Sequence, residues 1–336
     1  MSATVLLPHR LGHHAELAER LTARGFTVLH FGDRDQLQAL LPSADIVVAW
    51  PGQGFTIDRD LLDLGQRLVA VNSLVIGTEI IDVDACTELG ILVANGAVPE
   101  NFNGVAEATV MLMLTLSLDL KAKERTLRAG QFRPPTTRSA LLGGRTIGLI
   151  GLGRIGRGVA QRLQGWNVRL LGYDPYVDGA PPDIELVQLD DLLRSSDIVS
   201  IHVALNKTSR SLIGARELAL MPPHAYLLNT ARGGVVDEQA LVEALNAGRL
   251  AGAAIDTWAQ EPVPLDNPLF GVDPDKLILT GHCIAHSAKS PFELMAAAED
   301  TIVREAAGEL PLYVVNPRVE PAWRARLASR QRAPAG

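Results

Sequence analysis

The sequence predicts an α/β fold with two domains, each a parallel sheet with helices on its faces, the second one doubly wound. Three observations carry this. Short apolar runs alternate with segments of helical periodicity over most of the 336 residues, as in a sheet whose crossovers are helices. A chain of this length is long enough for two cores. In RTIGLIGLGRIG, residues 145–156, an apolar run ends in glycines spaced G-x-G-x-x-G and passes directly into a helix start.

In chain order, VLL at 5–7 reads as a strand, Leu17, Ala18 and Leu21 form a helical stripe stopped by Gly25, and FTVLHF is a second strand. DIVVA at 45–49, RLVAV at 67–71 and ILVA at 91–94 repeat the scheme. None of these strands ends in a glycine fingerprint, so the first domain is expected to hold substrate groups rather than a nucleotide. From Asn103 to about Arg128 the pattern predicts one long helix, with Val105, Ala108, Leu112 and Leu116 among its apolar positions. QFRPPTTRSALLGG at 131–144 is expected to be a loop or arm.

After the glycine stretch come VRLLGYD, IELV, a helix around LDDLLRSSD, DIVSIHV, AYLLN at 225–229, a helix from Asp237 to Ala247, AGAAID and LILT at 277–280. That makes about seven strands counted from Thr146. Ser290, Pro291 and Glu293 read as a capping-box start, with proline at the first helical position, for a helix to about Ala307. Such a helix returns the chain to the first domain. Residues 1–101 with 289–336 are therefore expected to form one discontinuous domain and 102–288 the other. The tail from Trp323, with Arg324, Arg326, Arg330 and Arg332, is expected to fray.

Composition narrows the function classes. A formal net charge of −7 with charges spread along the chain argues against a nucleic-acid surface. The greasiest run, ATVMLMLTLSL at 108–118, is too short to span a bilayer, and MSATVLLPHR lacks the basic and apolar parts of a signal peptide. Two cysteines, Cys86 and Cys283, make no disulfide framework and favour a reducing, cytoplasmic setting.

The glycine stretch states its own chemistry. Gly151 permits the tight turn, Gly153 lets backbone lie against a pyrophosphate, and Gly156 lets the helix pack close. Free N–H groups around Arg154 and Ile155 and the helix dipole then face an anion. The βαβ unit ends in Asp174, a carboxylate placed to accept from ribose hydroxyls and to repel a 2′-phosphate. The expected cofactor is NAD.

The other residues that could carry chemistry follow later strands, where open α/β sheets bind ligands. They are Arg232 in TARGGVVDE, Asp256 and Glu261 in AAIDTWAQEP, His282 in TGHCIAHS and His202 in IHVAL. Taken singly, Arg232 reads as a surface ion-pair residue, Glu261 as a solvated loop acid, and His202 and His286 as core or cleft-lining residues. His282, Cys283 and His286 form no closed tetrahedral metal set, and no metal is expected.

Several motifs in order resemble one family: IGTEIIDVDACTELGI at 76–91, NGVAEATVMLML at 103–114, GGRTIGLIGLGRIG at 143–156, NTARGGVVDEQALVEAL at 229–245, AGAAIDTWAQEP at 251–262 and LTGH at 279–282. From about Asp45 to Pro317 the chain is similar to the NAD-dependent D-2-hydroxyacid dehydrogenases. The resemblance implies a flavodoxin-like substrate domain, a Rossmann NAD-binding domain, a cleft between them and a homodimer. It implies His282 as the general acid and base at the carbonyl oxygen, Glu261 as the residue orienting its imidazole, and Arg232 as the holder of the substrate carboxylate. It implies that Asp256 bonds the nicotinamide carboxamide, that Thr230 lies at the cofactor, and that backbone around Val75, Ile76 and Gly77 clasps the carboxylate when the cleft closes.

Departures bear on the substrate. Gly281 stands where the family has proline, Val75 where it has glycine, Ala204 replaces the proline of H-x-P-L, and Phe132 the tryptophan of the arm. IGTEIID is most like the phosphoglycerate dehydrogenases, yet AWPGQGF at 49–55 lacks the arginine they place there for a phosphate, and no regulatory C-terminal domain is expected. The expected activity is hydride transfer between NAD(H) and a small, unphosphorylated D-2-hydroxy acid/2-keto acid pair. D-3-phosphoglycerate dehydrogenase is the alternative within the enzymes, and an NAD(H)-responsive transcriptional co-regulator of the same fold is the alternative outside them.

Overall fold

The structure is a computed structural model and describes residues 3–9, 14–133, 139–179 and 181–332. Of the expected arm, 134–138 lie outside the described residues, as does the APAG end. The chain divides into two compact units, Met1–Glu100 with Ser287–Gly336, and Asn101–His286.

The first unit is built on β1 (Thr4–Pro8), β2 (Thr27–Phe31), β3 (Ile46–Ala49), β4 (Ala70–Ser73) and β5 (Leu92–Asn95), all parallel, in the order β2-β1-β3-β4-β5. That is the flavodoxin-like order. β3 and β4 are buried throughout, because both faces of the sheet are covered by helices; β3 is apolar along its length, whereas β4 buries Asn72 and Ser73, which donate to Glu305 and to the Gly77 carbonyl. One face packs on Leu37, Leu61 and Cys86, the other on Leu17, Leu21, Ile302 and Trp323.

Two expectations for this unit are corrected. The tail does not fray from Trp323: a helix runs Glu320–Arg332, and the Trp323 side chain is fully buried, worth roughly 1.5–3 kcal/mol for a large apolar group. Arg326 fastens that helix by donating to the carbonyls of Leu68, Leu89 and Gly65. Nor does Ser290 cap the helix Ser290–Ala307; it lies inside the first turn, with Pro291 beside it. Its hydroxyl accepts from the Ser287 N–H at 3.1 Å, while Ser287 Oγ accepts from the N–H groups of Lys289 and Ser290. The serine three residues upstream therefore takes the capping role.

The second unit is built on β6 (Thr146–Ile150), β7 (Arg169–Tyr173), β8 (Glu185–Leu186), β9 (Ile198–Ile201), β10 (Tyr226–Asn229), β11 (Gly252–Ile255) and β12 (Leu277–Leu279). Its sheet is parallel, in the order β12-β11-β10-β9-β6-β7-β8. The winding reverses between β6 and β9, and the crevice at such a switch point binds ligands. The long helix expected over 103–128 is two helices, Pro99–Ser117 and Leu120–Arg128, separated at Asp119 with φ 53°. The break has a partner: Ala140 N–H and Ser139 Oγ donate to the carbonyls of Ser117 and Leu118, which a continuous helix would have used itself. Among the described residues no helix is long and apolar enough to cross a membrane.

Candidate functional site

All the candidate residues of the second unit lie past the C-terminal ends of its strands. β6 ends in Gly151, whose φ is +95°. A Cβ there would lie 2.8 Å from the His202 carbonyl, and one at Gly156 would lie 2.1 Å from the carbonyl oxygen of Gly151. Both glycines are thus required by packing. Gly153 is different: a Cβ there would meet nothing within 4 Å, and the residue caps the helix Arg154–Arg162 without positive φ. No contact with a described residue requires this glycine, and its open face leaves room for a ligand against the backbone. The N–H groups of Ile155 and Gly156 donate to no described residue, as an anion site at a helix start requires. Arg154 places its guanidinium 6.0 Å from the Phe102 ring.

Asp174, one residue past β7, has each carboxylate oxygen engaged by backbone: Oδ2 accepts from Leu152 N at 2.9 Å and Oδ1 from Tyr176 N at 2.9 Å. The carboxylate therefore fixes the turn as well as standing at its rim. His202 is half-buried beneath this turn, its Nε2 3.0 Å from Ser200 Oγ, and desolvation of its ring pushes its pKa down to about 4. It is a neutral packing residue. Thr230 is buried past β10, with its hydroxyl 3.3 Å from that of Thr109. Thr109 already donates to the Val105 carbonyl, so the proton between the two hydroxyls comes from Thr230.

The structure brings Arg232, Glu261 and His282 into one group. Gly233 accounts for the first approach. A Cβ on Gly233 would lie 1.8 Å from the Trp258 carbonyl carbon, so only glycine lets the loop after β10 lie on the loop after β11. Asn229 holds that loop, donating to the Arg232 carbonyl and accepting from Ala231 N–H. Glu261 Oε1 accepts from Trp258 N–H at 3.0 Å, and Oε2 lies 2.8 Å from His282 Nδ1. Burial raises the Glu261 pKa, but the His282 hydrogen bond, the Trp258 N–H and the charges of His282 and Arg232 outweigh it, holding the carboxyl below its ordinary value. With Nδ1 engaged, Nε2 is the ring nitrogen left for chemistry.

His282 sits in the left-handed region at φ +54°, an uncommon conformation for a residue with a side chain. Asp256 holds it there. The Asp256 carbonyl accepts the His282 N–H at 2.7 Å, and its buried Oδ1 accepts from Thr280 Oγ1, Cys283 N–H and Ile284 N–H.

Val75, Ile76 and Gly77 belong to the first unit, in the loop after β4. Their carbonyls are taken: Gly96 N–H donates to Val75, Asn95 Nδ2 to Ile76 and Ser73 Oγ to Gly77. The N–H groups of Ile76 and Gly77 donate to no described residue. A Cβ on Gly96 would lie 2.2 Å from the Leu74 carbonyl oxygen, so the loop depends on that glycine. Ser73, Asn95, Gly96, Asn229 and Gly233 were not singled out from the sequence; their signal, small or amide residues at strand ends, is too common to stand out before the pairing of loops is known.

The comparisons with known proteins follow this geometry. Residues 110–283 match the family model described as D-isomer specific 2-hydroxyacid dehydrogenase, NAD binding domain. The chain is 37% identical over 273 residues to a glyoxylate reductase of Thermofilum pendens, covering 78% of this chain and 79% of that one. It is 33% identical over 305 residues to a D-3-phosphoglycerate dehydrogenase of Methanocaldococcus jannaschii, covering 90% of this chain but 56% of that protein. It thus spans only about half the length of the phosphoglycerate dehydrogenases it matches. Among solved structures, D-lactate dehydrogenase from Aquifex aeolicus, complexed with NAD and lactic acid, is similar with a TM-score of 0.82 at 26% identity, over 93% of this chain and 99% of that one. By its NAD-binding domain, and by a relative matched over most of both lengths, the chain belongs to the NAD-dependent D-2-hydroxyacid dehydrogenase family.

Proposed function

We propose that this protein is an enzyme that transfers a hydride between NAD(H) and a D-2-hydroxy acid/2-keto acid pair. The observation that carries the reading is the His282–Glu261 contact at 2.8 Å beside Arg232, at the sheet edge where the glycine turn presents free N–H groups. NAD(H), when bound, supplies the hydride in reduction and accepts it in oxidation. The Ile155 and Gly156 N–H groups with Gly153 would hold its pyrophosphate, Asp174 its ribose, and Thr230 and Asp256 the nicotinamide end.

In reduction, His282 Nε2–H gives its proton to the substrate's carbonyl oxygen as C2 accepts the hydride, and in oxidation Nε2 takes the proton back. Glu261 fixes which nitrogen is free and stabilises the imidazolium. The Arg232 guanidinium polarises the carbonyl and holds the carboxylate with a planar, permanently charged fork. In the first unit, we propose the N–H groups of Ile76 and Gly77 as donors to a carboxylate.

We also propose a homodimer in the cytoplasm. Leu120, Leu127, Phe132 and Leu141 of the second unit are exposed, the kind of surface a partner covers, and the exposed thiol of Cys283 suits a reducing compartment. NADH oxidation across a panel of 2-keto acids tests the activity, and light scattering tests the dimer. Tight NADH binding without turnover of any 2-keto acid would remove the enzymatic reading.

A further inference from the structure

We infer that Trp258 is a positioning residue for His282, and that its indole N–H restrains the backbone step at Gly281 from which the imidazole hangs. The inference rests on the proposed 2-keto acid reduction and deepens it. Trp258 is buried and meets all three loops of the site. Its carbonyl carbon is the atom a Cβ on Gly233, beside Arg232, would strike. Its backbone N–H donates to Glu261 Oε1 at 3.0 Å, and its Nε1–H donates to the Thr280 carbonyl at 2.9 Å. The first two contacts are made by backbone, so other residues would keep them. The third needs the indole.

Gly281 separates Thr280 from His282. It has no positive φ, and a Cβ on it would meet nothing within 4 Å, so neither its conformation nor a described neighbour requires glycine. Glycine nevertheless has the widest choice of φ and ψ, and this one directly precedes a histidine held at φ +54°. Two hydrogen bonds restrain the step. The peptide group before Gly281 is held through the Thr280 carbonyl by the Trp258 indole, and the one after it through the His282 N–H by the Asp256 carbonyl at 2.7 Å. With both peptide planes pinned, the φ and ψ of Gly281 are set between them. The indole is itself fixed, its ring packed on Phe270 with centroids 5.7 Å apart, and a buried indole N–H keeps its partner.

The test compares the parent chain with Trp258→Phe, Gly281→Ala and the double variant, with NADH binding by fluorescence as the check of folding. Trp258→Phe keeps a ring against Phe270 and removes the donor. We expect it to slow single-turnover NADH oxidation by a 2-keto acid about ten- to a hundredfold, the cost of a proton donor displaced by about 1 Å. NADH affinity and the KM for the 2-keto acid should stay within about threefold, because the backbone contacts beside Arg232 are untouched. Gly281→Ala narrows the backbone at an open position, so the loss caused by Trp258→Phe should be at least about threefold smaller in that background. In protein isotopically labelled at its histidine nitrogens, the Nδ1–H resonance of His282, assigned by its absence in His282→Ala, should be sharp in the parent and broadened or lost in Trp258→Phe. An unchanged rate, an unchanged resonance, a loss shared equally with KM and NADH affinity, or a loss of the same size in both backgrounds overturns this inference and leaves the 2-keto acid reading standing. If the parent reduces no 2-keto acid while NADH binds, the enzymatic reading fails, and the Nδ1–H resonance alone decides whether Trp258 positions His282.

Discussion

Glu261 Oε2 lies 2.8 Å from Nδ1 of His282, yet the two side chains keep 40% and 43% of their surface exposed. A pair this open contributes little to stability, in the range of about 0–1 kcal/mol. Its consequence is orientation: the carboxylate engages Nδ1 and leaves Nε2 as the ring nitrogen open to a reactant. His282→Ala is expected to lower turnover at least about a hundredfold with NADH affinity retained, because proton transfer is lost and cofactor contacts are not.

Glu261→Gln separates orientation from stability. It is expected to lower kcat by about ten- to a thousandfold while leaving thermal stability within about 1 kcal/mol at neutral pH. Because the Glu261 carboxyl is held below its ordinary value, its stabilising share is present at neutral pH and lost as pH falls through the folded-state pKa. Thermal unfolding and kinetics on the same preparation read both effects. A large drop in stability at neutral pH with near-normal kcat would reverse the assignment.

Gly153 and Gly233 predict opposite phenotypes. An added Cβ at Gly153 meets no protein atom within 4 Å, while one at Gly233 lies 1.8 Å from the Trp258 carbonyl carbon. Gly153→Ala is expected to keep the melting temperature and weaken NADH binding about tenfold or more, since the methyl group would stand where the proposed site brings backbone against pyrophosphate. Gly233→Ala is expected to destabilise by roughly 1–3 kcal/mol, because two backbones must move apart. Calorimetry with NADH titration distinguishes them; equal loss of stability in both would refute the ligand explanation for Gly153.

Asp174 holds its turn through both carboxylate oxygens, and on the proposed function its substitution is expected to change cofactor selection as well. Asp174→Ala removes the acceptor for Leu152 N–H together with the expected ribose contact. The preference for NAD over NADP should fall at least about tenfold, the worth of a hydrogen bond to a charged group, and the turn should loosen. Asp174→Asn keeps an acceptor for the turn but loses the charge, so it should lose selectivity with less loss of NAD affinity. An unaltered preference in both variants would take Asp174 out of cofactor selection.

The two parallel sheets were legible because their inner strands are buried on both faces and read as nearly unbroken apolar runs, as in IVVA of β3 and YLL of β10. Arg232, Glu261 and His282 were marked by their places after strand ends, but their roles came only from the family's motifs, since nothing local distinguishes a functional arginine from a surface one. What the sequence concealed was tertiary. The break at Asp119 depends on Ala140 and Ser139 coming back to take helix carbonyls. The basic tail looked loose because its arginines are conspicuous, while the apolar side of its helix is mainly one residue, Trp323. Arg326 spends its charge on backbone carbonyls, with no acidic partner in the sequence to announce it.

Glu305 makes the sharpest pH prediction. It is fully buried among apolar residues of the first unit, with Asn72 Nδ2 donating to its Oε2 at 2.7 Å. Burial pushes its pKa up to about 8, only partly countered by that hydrogen bond. Between its ordinary value of 4.5 and about 8, the folded chain holds a proton that the unfolded chain has released. Stability from this group is therefore fully present below about 4.5 and declines as pH rises through that window, by up to about 1.4 kcal/mol per pH unit. Asn72 Oδ1 and Glu305 Oε1 have no hydrogen-bond partner among the described residues. In Glu305→Gln an amide could accept from Asn72 Nδ2 and donate to Asn72 Oδ1, satisfying both residues without a titratable proton. The variant should be more stable than the parent at pH 8 and lose this component of the pH slope, as measured by urea unfolding across the window. A parent whose stability rises from pH 5 to pH 8 and keeps the same slope after the substitution would show that Glu305 is ionised in the folded state.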